Sequence, residues 1–229
     1  MATTTTDVKL LGTRPSLFVN RVQIALNIKS VKYEFLGENL RSKSELLLES
    51  NPANKKIPVL IHGDKPICES LIIVQYIDEV WSSGPSILPS DPYDRAIARF
   101  WAAYIDDKWF PLLMETWKGQ EEEAKAAATE QVVAGLVMLE EAFVKCSKGK
   151  AFFGGDSIGY LDIAFGSFLG WLMIPKYLGT ASLLEIKTPR LMEWAERFCS
   201  DGAVKDVFLE PEKLIETINE ARANATTSN

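Results

Sequence analysis

Strand-like patterning stops early in this chain. Four stretches alternate like strands or form short apolar runs between turn residues, and all lie before residue 70. They are Val8-Lys9-Leu10-Leu11 (ending at Gly12), Val31–Leu36, Val59-Leu60-Ile61 and Pro66-Ile67-Cys68. Beyond residue 93 only helical spacing is found. A sheet cannot be completed by strands that the second half lacks, so the chain must fold as an α/β part followed by an all-α part. The break falls at Ser82-Ser83-Gly84-Pro85 and Pro89-Ser90-Asp91-Pro92, where three of the eleven prolines occur within eight residues. The expected division is a first domain over 1–82, a linker over 83–93 and a helical domain over 94–229.

Within the first part, Phe18, Val22, Ala25, Leu26 and Lys29 follow helical spacing, which puts Ser16 at a helix start. Strand, helix and strand in so short a span imply a parallel pair with a right-handed crossover. A short helix, Ser44–Glu49, closes at Asn51-Pro52, and His62-Gly63-Asp64-Lys65 makes a hairpin turn. A helix over Ser70–Trp81 follows. The order gives a mixed four-stranded sheet with helices, a thioredoxin-like arrangement. Later helices are expected over Asp94–Trp117, Glu121–Lys145, Asp162–Tyr177, Pro189–Cys199 and Pro211–Ala223. Pro111 should kink the first of these and free the carbonyl of Asp107.

Composition narrows the partners. The chain is 47% hydrophobic and 24% charged, with a net charge of −6 and a pI near 5.0. That acidic balance argues against a nucleic-acid footprint, and no basic cluster points to an anionic membrane. Met1–Asp7 has neither the basic nor the apolar region of a signal peptide, and the longest apolar stretch, Ile163–Pro175, is too short to span a bilayer. Cys68, Cys146 and Cys199 have no metal or redox spacing and read as reduced thiols.

One position is out of place in its strand. Pro58 cannot donate a ladder hydrogen bond, so pairing should stop there, with a cis peptide at Ile57-Pro58. That leaves the backbone of Ile57 free to pair with an extended peptide. Glu69-Ser70 places a carboxylate and a hydroxyl where the next strand turns into a helix. These residues read together as a clamp for a small peptide.

The chain also resembles the cytosolic glutathione transferases, and within them the plant tau class. The resemblance is carried by Pro15-Ser16 with Arg21-Val22, Leu40-Arg41-Ser42-Lys43-Ser44, Lys55-Lys56-Ile57-Pro58-Val59-Leu60-Ile61-His62, Pro66-Ile67-Cys68-Glu69-Ser70-Leu71, Leu88-Pro89-Ser90-Asp91-Pro92-Tyr93, Arg99-Phe100-Trp101 and Phe153-Gly154-Gly155-Asp156. It implies conjugation of glutathione, a co-substrate, to small apolar electrophiles by a cytoplasmic homodimer, with no metal or resident cofactor and with peroxidase activity as a variant. Ser16 would hold the thiolate and Ile57 the cysteinyl backbone. Glu69 would accept from the γ-glutamyl amine and Ser70 would hold the adjoining carboxylate. Lys43 and Lys56 would neutralise the glycine carboxylate. For the electrophile, Trp109, Leu113 and Trp117 fall at i, i+4 and i+8, and Phe18, Trp171 and Phe208 join them.

The chain departs from the tau pattern around Ser16, where Arg14 replaces an aromatic residue, Leu17 a proline, and Val19-Asn20 a small-plus-apolar pair. Gly159 replaces the Ser or Thr that caps the helix of Asp162, leaving half of a capping box. A non-catalytic carrier of apolar ligands is the alternative that the altered loop favours. A thiol-transferase would need Cys at position 16.

Overall fold

The computed structural model describes residues 7–174 and 182–217. They fall into two compact units, one reaching Pro85 and taking in the chain from Gly202, the other Ser86–Asp201.

The first unit contains β1 (Val8–Gly12), α1 (Leu17–Ile28), β2 (Glu34–Gly37), α2 (Glu45–Ser50), β3 (Val59–His62), β4 (Lys65–Cys68) and α3 (Ser70–Val80). The sheet order is β2-β1-β3-β4. β1 and β2 are parallel and the other pairs antiparallel, giving the expected mixed sheet. Leu11, Val59 and Ile61 pack with Leu47 of α2 on one face. Leu10 and Leu60, paired across β1 and β3 and fully buried, carry the other. α3 packs on β3 and β4 and lies against α1. β2 starts later than Val31, because the Val31 N–H closes the turn after α1 by donating to Leu26 O at 2.9 Å.

The second unit contains α4 (Pro92–Tyr104), α5 (Phe110–Lys118), α6 (Glu122–Ser147), α7 (Tyr160–Gly166), α8 (Leu169–Leu172), α9 (Leu183–Lys187) and α10 (Pro189–Ser200). Asp91 caps α4 by accepting from the N–H groups of Tyr93 and Asp94, both at 2.9 Å, ahead of Pro92 at the first turn. The expected kink at Pro111 takes the form of a π-helical turn over Ile105–Trp109. There the Phe110 N–H reaches back to Ile105 O, so the ladder shifts by one residue just before the proline that cannot bond Asp107. The helix expected from Asp162 starts two residues earlier and breaks after Gly166. A Cβ there would lie 2.3 Å from the Phe198 ring, so the backbone packs too closely on α10 for any other residue. Its last expected residues lie outside the described ones. The final expected helix is seen over 211–217, and its remainder also lies outside them. α9 was not anticipated; Ser182 and Glu185 cap it reciprocally.

The core of this unit is aromatic. Phe165 stacks on Trp194 at 5.2 Å and 9°, and Trp109 meets Phe165 and Phe168 edge-on. Asp162 lies fully buried among them. It accepts from Phe153 N and Trp194 Nε1 on one oxygen and from Gly154 N and Gly159 N on the other, at 2.7–2.9 Å. Gly159 has no side chain to return the bond, so the capping box is half-built, as expected. Burial pushes the Asp162 carboxyl up to about 6, against the pull of four donors.

Candidate functional site

Register alone gathers the candidate residues of the first unit. Gly12 is opposite Gly37, Leu11 is opposite Val59, and Val59 is opposite Cys68. The end of β1, the end of β2, the start of β3 and the end of β4 therefore meet at one edge of the sheet. The segments that leave from this edge carry Ser16, Lys43, Ile57-Pro58 and Glu69-Ser70. Ligands of α/β sheets bind beyond the carboxyl ends of parallel strands, the position β1 and β2 define here.

Ser16 is the N-cap of α1, a helix of 12 residues. Its Oγ accepts from the Val19 N–H at a long 3.4 Å, and its own N–H donates to Thr13 O at 3.2 Å. The hydroxyl proton has no acceptor among the described residues. Gly12 allows this approach: a Cβ there would stand 2.7 Å from Val19 Cγ2. Arg14 leaves the loop exposed, its guanidinium 5.9 Å from the centre of the Phe35 ring.

Lys43 is exposed in a loop fixed at both ends. The Glu38 N–H donates to Gly12 O at 2.9 Å, and the Glu38 carboxylate accepts from Ser44 Oγ at 2.6 Å. Lys56, also exposed, ends a loop wound around buried Asn51. Asn51 Nδ2 donates to Lys56 O at 2.9 Å and its Oδ1 accepts from Asn54 N at 3.1 Å. The Ile57-Pro58 peptide is cis, as expected, and β3 begins only at Val59. Neither backbone polar group of Ile57 bonds another described residue.

Glu69 has φ 69°, a left-handed conformation that costs a non-glycine residue about 1–3 kcal/mol and that clusters at binding sites. Its exposed carboxylate accepts from Asn54 Nδ2 at 2.8 Å. Ser70 opens α3 and is buried, its Oγ accepting from Arg21 Nη1 at 3.2 Å. Among the described residues, no side chain caps this helix start, whereas side chains cap α1, α2 and α4. An uncapped N-terminus offers N–H groups and a partial positive charge to an anion.

Two residues of this edge had no assigned role. Arg21 is fully buried and also lies 5.1 Å from the Phe18 ring, so it braces α1 against α3. A charge inside an apolar helix and the Arg21-Val22 pair within the resemblance were its signals. Asn54 gave none.

The electrophile candidates separate. Trp109 has no exposed surface and its indole N–H donates to Val132 O at 3.2 Å; Leu113 is 5% exposed. Side chains so covered pack the interior of the helical unit, and the helical stripe that pointed to them is a packing face. Trp117 and Trp171 are half-buried and tilt against each other at 5.5 Å. Phe18 and Phe208 are half-buried in the first unit.

The remaining chemistry is quiet. Burial pushes all three thiols up, Cys199 to about 11, and the Cys68 thiol donates to Ser50 O. His62 lies at the far end of β3, 2.9 Å from the Tyr76 hydroxyl, and serves packing. Among the described residues, no cluster of metal-ligating side chains occurs and no helix is long and apolar enough to cross a membrane.

Residues 6–79 match the model of the glutathione S-transferase N-terminal domain and residues 122–197 that of the C-terminal domain. Glutathione S-transferase U17 of Arabidopsis thaliana is 61% identical, over 92% of this chain and 93% of its own. U18 of the same plant is 60% identical, over 93% and 94%. Among solved structures, a tau-class glutathione S-transferase from mango superposes with a TM-score of 0.88 at 66% identity, over 93% of this chain and 97% of that one. Rice GST1 in complex with glutathione gives 0.86 at 33%, over 97% and 99%.

Proposed function

The chain is a glutathione transferase of the tau class, and on that premise we propose that the sheet edge carrying Ser16 binds glutathione and activates its thiol for attack on small apolar electrophiles. The observation that carries this reading is the Ser16 hydroxyl at the start of α1, with its proton uncommitted. It donates to the sulfur and favours thiolate over thiol. Lowering a thiol pKa from about 8.5 by roughly two units takes about 2.7 kcal/mol. A hydrogen bond to a charged group supplies about 1.5–3 kcal/mol and a helix N-terminus about 0.3–1 more, so no general base is needed.

The rest of the edge holds the tripeptide. The free backbone of Ile57 pairs with the cysteinyl unit. Glu69 accepts from the γ-glutamyl amine, and the uncapped start of α3 at Ser70 takes the neighbouring carboxylate. Lys43 and Lys56, on anchored loops, face the glycine carboxylate. Within the second unit, Trp117 and Trp171, which tilt against each other, supply apolar surface for the electrophile. We further propose a cytoplasmic homodimer, supported by exposed apolar side chains: Ile72 at 55% in the first unit, Phe100 at 59% in the second.

Turnover of an aryl halide at saturating glutathione tests the assignment. Ser16→Ala should lower kcat by about 10- to 100-fold, the loss of one charge-assisted hydrogen bond, and Ser16→Thr should keep most of it. Wild-type turnover in Ser16→Ala would remove Ser16 from the chemistry. Apolar dye bound without any conjugation by wild type would favour a carrier.

A further inference from the structure

α1 carries a polar atom that the fold leaves unpaired. Asn20 is 4% exposed, and its Oδ1 accepts no hydrogen bond from any described residue. Among the described residues it is the one buried side-chain oxygen or nitrogen in that state. Buried polar atoms are nearly always paired, because an unpaired one forfeits its bonds to water. Folding alone gains nothing from a carboxamide here, where the tau pattern has an apolar residue. The other amides of the helix are committed: Gln23 Nε2 donates to the Tyr33 hydroxyl and Asn27 Nδ2 to Ala203 O, both at 2.9 Å.

The same helix start holds the complementary deficit. Ser16 keeps a hydroxyl proton with no acceptor among the described residues, while its Oγ accepts from Val19 N at 3.4 Å. The Asn20 N–H donates to Ser16 O at 3.0 Å, so the first rung of the α1 ladder joins the two residues. At this i, i+4 spacing Cβ atoms lie about 5–6 Å apart. A helical side chain leans toward the N-terminus, here toward Ser16. The last torsion of an asparagine is broad, so turning its carboxamide costs little. A donor without an acceptor and an acceptor without a donor thus lie one side-chain rotation from a direct bond.

We propose that Asn20 is a positioning residue for Ser16: its Oδ1 takes the hydroxyl proton while the site is empty and competes for that proton when a glutathione thiolate is bound. The inference rests on the assignment of Ser16 to the thiol. The thiolate wins the exchange, since a hydrogen bond to a charged acceptor is about twice as strong as a neutral one. The bond that Ser16 gives up to Asn20 is subtracted from what the thiolate gains. Asn20 therefore holds the bound thiol less acidic than Ser16 alone would make it.

The test titrates the thiolate absorbance of the glutathione complex in Asn20→Leu and Asn20→Ala, each alone and combined with Ser16→Ala. Both single variants should titrate about half to one pH unit below wild type, the worth of one neutral hydrogen bond. Their kcat for an aryl halide at pH 5.5, below the titration, should rise about three- to fivefold. At pH 9, where the thiol is ionised in every protein, kcat should stay within about twofold of wild type, which shows that the variants fold. In the Ser16→Ala background the same substitutions should shift nothing, because the competition needs the hydroxyl. Coincident or upward-shifted titrations in the Asn20 variants, or the same shift in both backgrounds, would overturn the proposal while leaving Ser16 its role. Ser16→Ala titrating with wild type would remove that role and the proposal with it.

Discussion

Replacing Gly12 with alanine tests how the sheet positions Ser16. The φ of Gly12 lies outside the left-handed region, so alanine meets no backbone penalty and any cost is one of contact. The new Cβ would stand 2.7 and 2.8 Å from the two Val19 methyls. That is about 0.8 Å short of the ~3.5 Å at which carbon contacts become favourable. Val19 is fully buried and cannot swing away, so the first turn of α1 must move. Overpacking of this kind costs about 1–3 kcal/mol. Because Val19 N bonds Ser16 Oγ, the displacement passes to the hydroxyl, and a shift approaching ~1 Å lowers kcat/KM by up to about 100-fold. Urea unfolding and aryl-halide kinetics would be measured for Gly12→Ala, Val19→Ala and the double variant. Val19→Ala makes room for the added methyl, so the double variant should be more stable than the sum of the single effects by about 1–2 kcal/mol, with activity partly restored. Strict additivity, or a Gly12→Ala protein within about 0.5 kcal/mol of wild type, would refute the close-approach argument.

Two further outcomes follow from named contacts. Asn54→Ala frees the Glu69 carboxylate and should raise KM for glutathione about two- to tenfold at unchanged kcat, as expected for one partly exposed hydrogen bond; an unchanged KM would separate Asn54 from binding. Asp162 has a carboxyl raised from 3.8 to about 6, so the folded state holds the proton more tightly and stability falls as pH rises through that window. The stability of wild type relative to Asp162→Asn should therefore fall by about 2 kcal/mol between pH 4 and pH 7; a rise would mean that the four donors outweigh burial.

What the sequence revealed was what depends on neighbours along the chain. Ser16 before a helical period, Pro58 inside an apolar run and Glu69-Ser70 at a strand-to-helix turn are local features, and each lies where local chemistry places it. The start of β2 was misread because Val31 spends its N–H on the turn after α1, a choice set by φ 53° at Ser30. Pro111 announced a disturbance, but whether the helix bends or takes a π turn depends on packing around Trp109. The same stripe marked Trp109, Leu113 and Trp117 equally, since periodicity shows that a face is covered without saying what covers it. Arg21 was hidden for another reason: its partner Ser70 is 49 residues away, and only the packing of α1 on α3 brings the two together.

The central claim is that Ser16 lowers the thiol pKa of bound glutathione, and titration of that thiol tests it most directly. Ultraviolet thiolate absorbance of the glutathione complex, followed against pH in wild type and Ser16→Ala, reads the quantity itself. The wild-type complex should titrate about two units below the reference of about 8.5, and Ser16→Ala should titrate about one to two units higher than wild type with similar affinity for glutathione. Coincident titration curves for the two proteins would contradict the account.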